Sequence, residues 1–236
     1  ARELPASYLP ELIVLKQPEV LLVGLAVATL LGVVYVLRQL RSKLWELHSL
    51  RIASVAFVAL FPLVYFVVAR PVAYNGMRHF LFVLPPLCVL SALAFHRMFA
   101  ALQQPLLRYG LALGIALGCA WPVNALVELF PDQYVYFNEL AGGTAGAQGQ
   151  FELDYWGTSL AEATRRLTHS LQERGELPKP GQKPLKVYVC GNVWSAATFF
   201  PASLAPVERL EDADLEIAID TFFCRQPKDS RRLLDV

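Results

Sequence analysis

Four stretches of this chain contain no Asp, Glu, Lys or Arg: residues 20–37, 52–69, 79–96 and 109–127. Each is 18 or 19 residues long, and a helix needs roughly 20 apolar residues to cross the hydrocarbon of a bilayer. Only a helix satisfies enough of its own backbone polar groups to sit in lipid as a single segment. The competing reading, buried helices of one large soluble core, has to accommodate all four windows in succession. The sequence therefore predicts a transmembrane bundle of about four helices at these positions.

Charge divides the chain in the same place. Residues 1–127 hold 10 Lys or Arg against 4 Asp or Glu, and residues 128–236 hold 11 against 16. A soluble protein of this size mixes its charges throughout. The expected organisation is a transmembrane helical region over 1–127 and a separate water-soluble domain over 128–236. The lipid bilayer is then the first partner, and nucleic acid is not expected as one. Arg38, Arg41, Lys43 and Arg51 crowd the first loop against Glu46, and Arg97 and Arg108 flank the third. By the positive-inside rule these loops face the cytoplasm, which places the middle loop and the C-terminal domain outside it.

The segment before the first window, residues 4–18, is short and bounded by prolines. It reads equally as an interfacial helix or as a connecting loop. Pro85 and Pro86 stand inside the third window and predict a broken or kinked helix. Cys88 and Cys119 lie in apolar windows and read as small buried hydrophobes. Cys190 and Cys224 lie outside them and read either as a disulfide in an oxidising compartment or as two free thiols. No cysteine or histidine spacing points to a metal, and no cofactor motif is present.

In the second half, glycines 142, 143, 146 and 149 mark a tightly turning loop that lacks the Gly-Lys-Ser/Thr ending of a phosphate-binding loop. The run from Leu160 then reads as a helix to about residue 173, with Thr158 or Ser159 at its cap. Residues 185–190 alternate and are rich in valine, which predicts a strand; residues 194–200 read as a short helix and 215–219 as a second strand. The fold class expected is a helical transmembrane bundle followed by a small α/β extracytoplasmic domain.

Two places carry candidate chemistry. The middle loop brings Tyr74, Asn75, Arg78 and His79 to the start of the third window. A guanidinium at that depth has the paired donors to hold a lipid-linked phosphate, or it anchors the helix in headgroups. The run 151–159 contains Glu152, Asp154, Tyr155 and Trp156. The two acids face opposite sides of a strand or converge in a loop, and Trp156 and Tyr155 are residue types that stack on sugar rings; alternatively Asp154 caps a turn and Trp156 is core. Asn138 and Glu139 carry a similar ambiguity.

The opening run Arg2-Glu3-Leu4-Pro5, Tyr8-Leu9-Pro10 and Lys16-Gln17-Pro18, with Tyr74-Asn75-Gly76-Met77-Arg78-His79-Phe80-Leu81-Phe82-Val83-Leu84-Pro85-Pro86, resembles the C-terminal part of protein-mannosyltransferase-like glycosyltransferases. These are multi-spanning enzymes that take a sugar from a polyprenyl-phosphate donor. The run Tyr136-Phe137-Asn138-Glu139 with Gly142-Gly143, and residues 151–159, look like the extracytoplasmic extension of one subgroup. The resemblance implies a polyprenyl-phosphate-linked sugar and an extracytoplasmic acceptor as partners. It implies a bacterial plasma membrane as the location, and substrate-binding roles for Arg78, Tyr74, Asn75, His79, Asp154 and Trp156. Family members carry their catalytic aspartate in an early outward loop, and nothing here matches that loop. The general base would then belong to a missing N-terminal part of the same enzyme. The alternative is a non-catalytic membrane-anchored assembly subunit or sugar-binding protein.

Overall fold

The structure, a computed structural model, describes residues 4–42, 47–73, 76–219, Cys224 and 233–234. Tyr74 and Asn75, two of the expected site residues, lie outside the described residues. The chain divides into two compact units, Ala1–Gly146 and Ala147–Val236.

The first unit is helical. Helix α1 (Tyr8–Lys16) is followed by α2 (Glu19–Ser42), α3 (Leu47–Ala69), α4 (Leu84–Ala101) and α5 (Pro105–Glu128). A 3-10 stretch, Arg78–Val83, leads into α4. The segments Glu19–Gln39, Ser49–Ala69, Arg78–Ala101 and Pro105–Glu128 are long and apolar enough to cross a membrane. Very little of α2 or α5 is buried by the rest of the protein, and side chains such as Leu106 (80% exposed) and Trp121 (65%) point away from it. An apolar surface this continuous is incompatible with water and suits lipid.

The third span is broken where the double proline predicts. Pro85 and Pro86 occupy the first turn of α4, where their missing N–H groups cost nothing because those positions have no intrahelical partner. The residues before them wind as a 3-10 helix instead. Helices α2 and α4 meet at Gly24, where an added Cβ would lie 1.8 Å from Ser91 Oγ and 2.8 Å from Phe95 Cε2. Small residues permit such close backbone approach in membranes. Cys88 and Cys119, expected to be buried, are both exposed on α4 and α5. Lipid is as apolar as a core, so an apolar side chain in a span has no obligation to face protein.

The N-terminal segment resolves as a helix: Leu9, Leu12 and Ile13 of α1 are buried. After α5 come two 3-10 turns, Gln133–Val135 and Glu139–Ala141, and the short helix α6 (Gly143–Ala147) at the border of the two units. Residues 128–146 thus cluster with the helices of the first unit rather than with the second unit.

The second unit contains α7 (Ser159–Glu173), β1 (Leu185–Cys190), α8 (Val193–Ala197), β2 (Leu204–Val207) and β3 (Leu215–Ala218). The strands form a parallel sheet in the order β2-β1-β3, with Leu185 opposite Leu204 and Val187 opposite Leu215. Leu160, Leu167 and Leu171 of α7 recur at helical spacing and pack with Val187, Val189, Leu204 and Ile217 into one core. Strand β2 is absent from the sequence reading because Pro206 argues against a strand. It lies at the sheet edge, where a proline leaves no central ladder bond unmade. The helix expected over 194–200 is shorter and runs Val193–Ala197, capped by the Asn192 side chain accepting from Trp194 N–H (3.1 Å). Cys190 and Cys224 are joined by a disulfide, with Cα atoms 5.6 Å apart.

Candidate functional site

Arg78 begins the 3-10 stretch at the head of the third span, half-buried, with His79 exposed beside it. Its Nε donates to His79 Nε2 at 3.3 Å. The backbone just ahead of Arg78 is held by α1. Gly76 N–H donates to the Tyr8 hydroxyl (3.2 Å), and Gln17 Nε2 donates to Met77 Sδ (3.7 Å). The Tyr8 ring stacks on Phe66 of α3 at 6.3 Å, and Phe66 meets Phe80 edge-to-face at 5.5 Å. Both Met77 and Phe66 are buried. The guanidinium therefore projects from a loop clamped on both flanks, at the end of an apolar helix.

Helix α1 is itself latched to the segment that follows α5. Asn138, 1% exposed, donates through Nδ2 to Val14 O and Gln17 O, each at 2.7 Å. Its backbone N–H donates to Leu15 O at 2.8 Å. These three bonds satisfy carbonyls that the end of a helix leaves without partners. In return, Lys16 Nζ donates to Tyr134 O (2.9 Å) and Tyr136 O (3.2 Å) and sits 4.2 Å from the Phe137 ring centre. Burial holds the Lys16 ammonium down at about 8, because the carbonyls and the ring only partly replace water around the charge. Glu19, at the start of α2, accepts from Glu139 N–H at 2.8 Å. Burial first, and then the charges of Glu19 and Glu139, push the Tyr136 hydroxyl above its ordinary value.

No protein-family model, curated protein or solved structure matches the chain.

Asp154 and Trp156 belong to the second unit. Asp154 is buried, and its carboxylate accepts from Thr158 N–H and Ser159 N–H, each at 3.1 Å, and from the Ser159 hydroxyl. It caps α7 from outside the helix, where a negative charge meets the positive end of the helix dipole. Thr158 holds the cap position, but its side chain makes no capping hydrogen bond. Trp156 is 56% exposed, so it is not core. Glu152, two residues before Asp154, is half-buried and its carboxyl is pushed up by that burial. Among the described residues no three His, Cys, Asp or Glu side chains converge as a metal site.

Arg78 and His79 are thus brought together, and Asp154 has its cap to maintain. Tyr8, Lys16 and Gln17 carry no signal beyond ordinary helix composition, and Asn138 only its place beside a glycine-rich turn. Their partners lie 60 to 124 residues away along the chain, a separation that periodicity does not report.

Proposed function

We propose that this chain is the C-terminal portion of a membrane glycosyltransferase that takes a sugar from a polyprenyl-phosphate donor and passes it to an acceptor outside the cytoplasm. The observation that carries this reading is Arg78: a guanidinium set at the head of an apolar span on a loop clamped by Tyr8 and Gln17. A lipid-linked phosphate lies at that depth, and a planar guanidinium offers it paired donors. In the reaction a carboxylate removes a proton from the acceptor hydroxyl while a cation steadies the departing phosphate. Arg78 fills the second role, and the first falls to a part of the enzyme outside this chain. The Cys190–Cys224 disulfide supports an oxidising, extracytoplasmic side for the second unit, and the basic first loop supports the same orientation.

The test is sugar transfer from a polyprenyl-phosphate donor by the purified full-length protein, with variants matched for folded amount. Arg78→Ala should lose about 2–4 kcal/mol of transition-state stabilisation, or roughly thirty- to a thousand-fold in rate. Arg78→Lys should recover only part, because it keeps the charge and loses the fork. An arginine that merely anchors the helix in headgroups gives near-normal rates in the lysine variant. More than about half the wild-type rate in Arg78→Ala would sink the phosphate-binding role.

A further inference from the structure

The second unit carries an exposed aromatic edge that Arg78 chemistry does not use. Its sheet order, β2-β1-β3, places β2 on one side of β1 and β3 on the other. In parallel sheets ligands bind beyond the carboxyl ends of the strands, where successive connections part in opposite directions. Here that point lies between the ends of β1 and β3.

Two glycine turns meet there. Gly191 directly follows β1 with φ +147°, and a Cβ on it would touch Leu160 Cδ1 at 3.3 Å and Ile219 Cδ1 at 3.4 Å. Gly157 has φ +68°, and a Cβ on it would touch the same Leu160 Cδ1 at 3.1 Å. Only glycine adopts both conformations without strain. The buried tip of Leu160 is therefore gripped between the 155–157 turn and the 191–194 turn. Each turn ends or begins with an indole turned toward solvent: Trp156 is 56% exposed and Trp194 is 75% exposed. The Tyr155 ring lies 5.9 Å from that of Trp156. Tryptophan is highly buried on average, so two exposed indoles on turns that share one buried leucine depart from the usual pattern.

The polar groups select the ligand. The N–H groups at the N-terminus of α7 are already taken by the Asp154 carboxylate, which disfavours a phosphate there. Glu152, on the same run as Trp156, makes no hydrogen bond or ion pair among the described residues, and burial raises its carboxyl. A carboxylate accepts hydrogen bonds from hydroxyls, and indole faces pack on the C–H faces of sugar rings.

We propose that this edge is a saccharide-binding site, with Trp156 and Trp194 as stacking platforms and Glu152 as the acceptor for ring hydroxyls. The site does not depend on the transferase reading, since binding at the second unit is measured without any transfer reaction. The full chain, purified in nanodiscs, is titrated with cellohexaose, maltohexaose, mannohexaose and chitohexaose while tryptophan emission and ligand saturation-transfer NMR are followed. At least one oligosaccharide should bind saturably. Trp156→Ala and Trp194→Ala should each weaken it roughly tenfold. Glu152→Gln should weaken it by a smaller factor and leave the emission change intact. Both indoles are exposed, so their removal spares the core, and unchanged thermal unfolding of the variants checks this. Absence of saturable binding to all four sugars up to about 10 mM overturns the proposal. So does sugar binding that survives loss of both tryptophans. A third refuting result is an emission change that follows the lipid composition of the nanodisc and ignores sugar, which assigns the edge to the membrane surface.

Discussion

Removing the Asn138 side chain should release α1. Its Nδ2 caps two carbonyls at the end of that helix, Val14 O and Gln17 O, and its Oδ1 accepts from Leu140 N–H at 3.1 Å. Asn138→Ala deletes all three bonds in a site only 1% exposed. A buried polar group left without a partner costs about 1–3 kcal/mol, so two carbonyls together should cost about 2–6 kcal/mol. Entry of one water into the vacated volume favours the lower end. The readout is hydrogen–deuterium exchange of the peptide covering residues 8–17, in nanodiscs under conditions where exchange reports opening equilibria. A loss of about 2 kcal/mol corresponds to roughly thirtyfold faster exchange. Asn138→Asp keeps the shape and the bond from Leu140 but replaces the two-donor amide nitrogen with one oxygen facing both carbonyl oxygens, and should exchange at least as fast. Exchange within about threefold of wild type in Asn138→Ala would refute the latch as the element that holds α1.

Four further outcomes follow from the structure. Lys16 should make the protein more stable as pH rises from about 8 toward 10. Below pH 8 the ammonium is charged in both states and the desolvation cost is fully present, whereas between 8 and the ordinary 10.5 only the folded chain gives up the proton; Lys16→Met should flatten this rise in thermal unfolding. The raised Tyr136 hydroxyl acts oppositely, because its stabilisation is present below its ordinary value of 10.0 and is lost as pH climbs beyond it. Gly24→Ala forces α2 away from Ser91 and Phe95 and should cost about 1–3 kcal/mol in SDS-titrated unfolding, while Gly32→Ala, which meets nothing within 4 Å, should be neutral or mildly stabilising. Asp154→Ala should lower the stability of the second unit by about 1–2 kcal/mol through the lost cap, with Asp154→Asn losing less, as read by thermal denaturation.

The spans were legible because composition alone decides them: a helix in lipid needs apolar length and little else. The break in the third span was legible for a local reason, since Pro85 and Pro86 permit a helix to begin but not to continue through them. Helix α7 showed itself through the spacing of Leu160, Leu167 and Leu171, and β1 through its alternation. Strand β2 did not show because it is four residues long and contains Pro206, so edge position, a property of the sheet, overrode local propensity. The facing of Cys88 and Cys119 could not be read at all. In water an apolar residue declares its side, and in a span both sides are apolar.

The division of the chain is the instructive case for the site. Charge changes sign after residue 127, yet the compact unit runs on to Gly146. Composition follows solvent, and the chain leaves the apolar windows at the end of α5. Packing follows hydrogen-bond demand: α1 ends with carbonyls that need donors, and Asn138 and the 134–136 backbone supply and receive the bonds that close it. The exchange is reciprocal, with a side chain from each segment capping backbone of the other, so neither segment is satisfied alone. Because α1 also holds Gly76 and Met77 through Tyr8 and Gln17, loosening the latch should displace the loop that presents Arg78. A chain cut at the charge boundary would thus keep its α2–α5 helices and lose the groups that position its candidate phosphate ligand.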